Sequence, residues 1–125
     1  MKKLVVLSIF VLLLTACNTE NATDSILKSG KISCTDIEII KKQDDYMIID
    51  VRTNDEYDEG HLDKAINIEY QDIVKELKEK NISKETPIIV YCKSGGRSGQ
   101  AYESLKEEGY THIYDLGAIS NCQNN

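Results

Sequence analysis

At 125 residues the chain is long enough for one domain with its own core and too short for two. Its 41% hydrophobic and 29% charged residues exclude a wholly disordered polymer. The formal net charge of −6 argues against nucleic acid as a partner, because phosphate backbones call for Lys/Arg patches; otherwise it indicates solubility.

Residues 1–16, MKKLVVLSIFVLLLTA, place two lysines ahead of an apolar run from Leu4 to Leu14, then small residues. The run is too short to span a bilayer comfortably. Its charge order and length fit a signal-peptide core better than a membrane anchor or a buried helix. The junction Leu14-Thr15-Ala16-Cys17 resembles the lipobox of bacterial lipoproteins. That resemblance implies cleavage before Cys17, a diacylglycerol on its thiol, and an exported chain held to the cell membrane on its extracytoplasmic face. An ordinary signal peptide followed by a chance cysteine is the alternative. Residues 17–30 are polar and read as a tether. Cys34, Cys92 and Cys122 then belong to an oxidising compartment.

The domain is expected over 31–122, with 123–125 as a polar tail. Ile32-Ser33 reads as a short strand. Thr35 and Glu38 fit a capping box, which opens a helix to about Lys42. Asp44-Asp45 breaks it, and YMIID (Tyr46 to Asp50) is a continuous apolar run of the kind found in buried parallel strands. Residues 51–64 read as loop with one helical turn around Asp55 to Asp58. Ala65 to Ile68 is a short strand, and Tyr70 to Lys80 a helix with Ile73, Val74 and Leu77 on one face. Pro87 precedes Ile88 to Tyr91, the most buried-looking strand. A helix from about Arg97 to Glu108 turns Ala101, Tyr102 and Leu105 inward and ends at Gly109. His112 to Leu116 is the last strand. Strands alternating with helices predict an α/β fold, a doubly wound parallel sheet with helices on both faces. Ligands in such folds sit at the carboxyl ends of strands, where Asp50 and Cys92 both fall.

Cys92 opens the stretch CKSGGRS. Lys93, Ser94, Gly95 and Gly96 can curl so that successive N–H groups point inward, and the helix that follows adds its N-terminal dipole. Arg97 and Lys93 add positive charge, so the reading is a thiolate near neutral pH, held rigidly and exposed at the sheet edge. The same cradle suits a bound anion or a persulfide. A buried structural cysteine beside a turn is the plainer alternative.

Two blocks, IIDVRTNDEYDEGHLDKAINI (48–68) and IIVYCKSGGRSGQAYESLKEEGYTHIYDLGA (88–118), resemble a single-domain rhodanese. The resemblance implies a rhodanese-like fold and a sulfurtransferase in which Cys92 carries a persulfide and Lys93 to Arg97, followed by Ser98, form the active loop. A small sulfur-donor anion such as thiosulfate or polysulfide, and an acceptor that is cyanide or a thiol, including one on a thioredoxin-like protein, are the implied partners. No cofactor or metal is implied. Related phosphatases and arsenate reductases have five residues between cysteine and arginine. The four here suit one sulfur atom, so those activities are disfavoured. A persulfide carrier or interaction module with little turnover is the other alternative.

Asp50 and Arg52 match the family's DVR motif, in which Arg52 pairs with Asp50, Glu56 or Glu59 to support the loops. His61, in Gly60-His61-Leu62, also matches and is read as ordering a loop rather than as a base. In the family the first and last strands are neighbours, so Cys34 and Cys122 become candidates for a disulfide; a free Cys122 would instead be a candidate resolving thiol. The family's C-terminal Gly-Gly and tryptophan are replaced here by Gly117-Ala118-Ile119-Ser120-Asn121-Cys122, which leaves one wall of the site open to question.

Overall fold

The computed structural model describes residues 27–123. The expected signal peptide, Cys17 and most of the tether lie outside the described residues. Five parallel strands form one sheet in the order β1-β5-β4-β2-β3: β1 Gly30–Lys31, β2 Met47–Asp50, β3 Ala65–Asn67, β4 Ile88–Cys92 and β5 Ile113–Ala118. Helices α1 (Cys34–Ile40), α2 (Asn54–Asp58), α3 (Ile73–Glu79) and α4 (Gly96–Glu107) alternate with them, and a 3-10 turn, Ile119–Cys122, follows β5. The architecture is the doubly wound α/β fold that the alternation predicts.

The central strand β4 is fully buried from Ile88 to Cys92. Its successive side chains point to opposite faces. Ile88, Val90 and Cys92 pack with Ile49, Ile73, Leu77, Ala101 and Leu105 under α3 and α4. Ile89 and Tyr91 pack with Ile37, Ile40, Ile48, Tyr114, Leu116 and Ile119 under α1 and the 3-10 turn. Two apolar faces explain the continuous run IIVYC, and each buried isoleucine contributes roughly 1.5–3 kcal/mol. Ile73 and Leu77 of α3 and Ala101 and Leu105 of α4 are inaccessible, whereas Val74 and Tyr102 sit at the margins. Gly109, with φ +96, ends the helical segment as expected.

The start of the domain departs from the sequence reading. Strand β1 is Gly30–Lys31, paired with Tyr114 and Asp115, and not Ile32-Ser33. Ser33 is instead the cap of α1, its N–H and hydroxyl both donating to Asp36 Oδ2 at 2.8 Å, while Thr35 only meets the Ser33 hydroxyl. Ser33-x-x-Asp36 competes with Thr35-x-x-Glu38 for the same role and wins because α1 begins at Cys34. The last tether residues are packed against the domain: Tyr114 Oη donates to Leu27 O at 2.9 Å and Ser29 Oγ to Thr111 O at 2.7 Å. The domain therefore begins before residue 31.

Candidate active site

Cys92 is the last residue of β4, paired with Ala118 of β5, so the sheet fixes its backbone. The chain then turns through Lys93, Ser94 and Gly95 into α4. Gly95 has φ +100, a conformation that L side chains rarely adopt, and this aims its N–H at Cys92 Sγ, 2.9 Å away. A bulge in β5 brings Gly117 against Gly95, where it is 3.7 Å from the place a Cβ would take. Asp115 Oδ1 accepts from Gly117 N–H at 2.9 Å and holds that bulge.

Burial on its own pushes the Cys92 thiol up. Hydrogen bonds from the Ser98 N–H and hydroxyl, and from the Gly95 and Ser94 N–H groups, together outweigh burial, so the thiol titrates below its ordinary value. The Ser98 hydroxyl has a second acceptor for its proton in Gly95 O, at 3.1 Å, and Ser98 itself is buried.

One sequence expectation is corrected here. The Cys92 side chain is fully buried rather than exposed, because it points toward α4 and joins the core beside Ala101. Arg97 is anchored by Glu56, its NH1 and NH2 donating to Oε2 and Oε1 at 2.7 and 3.0 Å, and its charge acts on Cys92 through space, as the sequence led one to expect. Lys93 is exposed at the cleft rim. Backbone and hydroxyl donors hold the sulfur's charge.

Around this loop, Asp50 and Arg52 form a buried pair. Arg52 Nε lies 3.0 Å from both Asp50 oxygens, and its NH2 donates to Oδ2 at 2.6 Å. The same NH2 donates to Gly60 O at 2.7 Å, which ties the end of β2 to the loop before β3. Of the three acids considered for Arg52, Asp50 is the partner. Glu56 accepts from Thr53 N–H at 3.0 Å, caps α2 and holds Arg97; the Arg97 guanidinium lowers its carboxyl to about 2. His61 stacks on Tyr57 with centroids 3.7 Å apart, and its Nδ1 lies 2.9 Å from Tyr57 O. Its contacts order the loop.

Asn67, Tyr91 and Ile119 escaped sequence reasoning. Asn67 Nδ2 donates to Asp50 O and Arg52 O, and Tyr91 Oη accepts from Leu62 N–H. A polar residue between Ile66 and Ile68, at the carboxyl end of a strand, was the available signal for Asn67. Ile119 and Gln123 line a cleft of about 260 Å³ with Arg52, Glu56, Glu59, Gly60 and Lys93. Cys34 and Cys122 are joined by a disulfide, with Cα atoms 5.3 Å apart, leaving Cys92 as the free cysteine among the described residues.

A parallel sheet with a cysteine loop at the carboxyl end of its central strand is the class of protein that fold and site define together. The chain belongs to the rhodanese-like family, whose model, a rhodanese-like domain, matches residues 35–123. It is 38% identical over 71 residues to the thiosulfate sulfurtransferase PspE of Escherichia coli K12, spanning 57% of this chain and 68% of that one. It is 37% identical over 79 residues to the thiosulfate sulfurtransferase GlpE of Coxiella burnetii, spanning 63% and 71%. A solved rhodanese with anions from E. coli superposes with a TM-score of 0.56 at 39% identity, covering 61% of this chain and 89% of the other.

Proposed function

We propose that this rhodanese-type sulfurtransferase moves a sulfane sulfur from a donor such as thiosulfate or polysulfide to cyanide or a thiol, through a persulfide on Cys92. The Cys92 thiolate attacks the outer sulfur of thiosulfate, an S–S bond forms to Cys92 as the donor's S–S bond breaks, and sulfite leaves with the bonding pair. Cyanide or an acceptor thiolate then attacks the terminal persulfide sulfur, departs with it as thiocyanate or a new persulfide, and returns the Cys92 thiolate. Neither step moves a proton, which is why His61 needs no role as base. The observation that carries this reading is the Gly95 N–H 2.9 Å from a sulfur whose hydrogen bonds lower its pKa. The relatives named thiosulfate sulfurtransferase support it.

Lys93 to Gly96 and the first turn of α4 serve as the persulfide cradle, Arg97 with Glu56 and Arg52 with Asp50 as its struts. The four residues between Cys92 and Arg97 favour one sulfur over a tetrahedral oxyanion. Thiocyanate release from thiosulfate and cyanide tests the reading: wild type is expected to turn over and Cys92→Ser not, and equal rates would end it. The complete burial of Cys92 supports a second reading, a persulfide carrier with little turnover. A stable sulfur adduct on Cys92 with negligible thiocyanate release would favour that one.

The Leu14-Thr15-Ala16-Cys17 junction supports export, removal of residues 1–16 and anchoring by lipid on Cys17 at the extracytoplasmic face, with 17–26 as the tether. Mass spectrometry of the cellular protein is expected to find a diacylglyceryl group on an N-terminal Cys17. A chain retaining residues 1–16 would refute the anchor.

A further inference from the structure

The segment that forms one wall of the cleft is held to α1 by one covalent bond and one buried side chain. Ile119 and Gln123 both face the cleft, and Cys122 lies between them on the 3-10 turn. Beyond Ala118, the last rung of β5, the segment's hydrogen bonds among the described residues stay local: Asn121 Nδ2 to Leu116 O and Gln123 N to Ser120 O. No hydrogen bond among the described residues joins residues 119–123 to α1, α2 or the Cys92 loop. What fixes the wall is the burial of Ile119 against Ile37, Tyr91 and Leu116, and the Cys122–Cys34 bond to the start of α1.

That bond is also reachable. Cys34 and Cys122 are only half-buried, and both line an open surface pocket of about 180 Å³ with Ile37, Glu38, Lys41 and Leu62. The pocket is separate from the cleft that holds Arg52, Glu56 and Lys93. A thiol therefore has a route to the disulfide that does not pass Cys92.

We infer that Cys34–Cys122 is a redox modification site for a dithiol, and that its state positions Ile119 and so sets how well the cleft of Arg52, Glu56 and Lys93 holds donor. One thiolate of the dithiol attacks a sulfur of the pair, a mixed disulfide forms, and the second thiolate resolves it. The dithiol leaves as its disulfide. Cys34 and Cys122 take up the two electrons and two protons. The turn then keeps the apolar contacts of Ile119 and the Asn121–Leu116 bond but loses its covalent tie to α1, and the wall loosens. Ile119 is a positioning residue in this scheme, since it acts by shaping the cleft. The inference rests on the proposed sulfurtransferase reading only for its kinetic consequence.

The test uses the full chain in three forms: oxidised, reduced with dithiothreitol and desalted without oxygen, and Cys34→Ser/Cys122→Ser. Hydrogen–deuterium exchange of the peptide spanning residues 119–123, followed by mass spectrometry, reads the wall itself without any need for activity. Exchange is expected to speed up roughly threefold or more in the reduced and double-serine forms, and to return to the oxidised rate when the wild type is reoxidised. In thiosulfate-to-cyanide transfer, the KM for thiosulfate is expected to rise roughly threefold with kcat little changed, the signature of lost binding and not lost chemistry. Ile119→Ala, with the disulfide intact, is expected to shift both in the same direction, and it serves if the reduced forms fail to fold. An unchanged exchange rate in forms shown by thiol counting to be reduced would overturn the inference. Faster exchange in a protein that releases no thiocyanate would leave it standing and sink the proposed activity instead.

Discussion

The reactive state of Cys92 is set by a few donors within hydrogen-bonding reach. Ser98 is the first of these after burial is discounted, so Ser98→Ala is expected to move the pH inflection of Cys92 alkylation upward toward that of a free thiol. An inflection that does not move would assign the lowered pKa to the backbone N–H groups of Ser98, Gly95 and Ser94. Gly95→Ala tests the backbone: its Cβ would meet only ordinary contact with Gly117, so the cost is the φ of +100, about 1–2 kcal/mol, visible as a lower unfolding midpoint. At this scale the sequence was legible in kind but not in direction. Cysteine, glycines and arginine announce an anion-binding loop through their chemistry. Where Arg97 points depends on Glu56, 41 residues away, and no local pattern encodes that pairing.

Between elements, the Glu56–Arg97 pair links the cap of α2 to the first turn of α4, and Arg52 links β2 to the loop before β3. Both partners of the first pair are about a quarter exposed, so its contribution is under about 1 kcal/mol. Glu56 is depressed to about 2, so the stability it adds is complete above the ordinary glutamate range and is lost as pH falls through about 2. Thermal melts of Glu56→Gln against wild type are expected to differ at neutral pH and to converge near the bottom of that window; a gap independent of pH would deny the ion pair its role. Strand and helix positions were legible because β4 is apolar on both faces and α3 and α4 carry inward residues at helical spacing. The start of α1 was less so, since Ser33-x-x-Asp36 and Thr35-x-x-Glu38 are equivalent signals two residues apart and only β1 pairing with β5 decides between them.

At the scale of the molecule, a bond between Cys34 and Cys122 closes a loop with a sequence separation of 88, which ties the start of α1 to the end of the domain. Closing so long a loop contributes roughly 2–4 kcal/mol, so Cys122→Ser is expected to lower the melting temperature by about 10–20 °C without abolishing the fold. A change of only a degree or two would mean the two ends stay together unaided. The sheet order follows from alternation and handed crossovers, which is why the fold could be read before the structure. The cleft wall at Ile119 could not be, because it forms where the chain departs from the family's Gly-Gly and tryptophan pattern. The most direct measurement of the whole scheme is the mass of the Cys92 peptide after exposure to thiosulfate, then to cyanide. One added sulfur on Cys92, removed by cyanide with an equal amount of thiocyanate released, is the expected result. A Cys92 that takes up no sulfur, or thiocyanate release that survives Cys92→Ser, would contradict it.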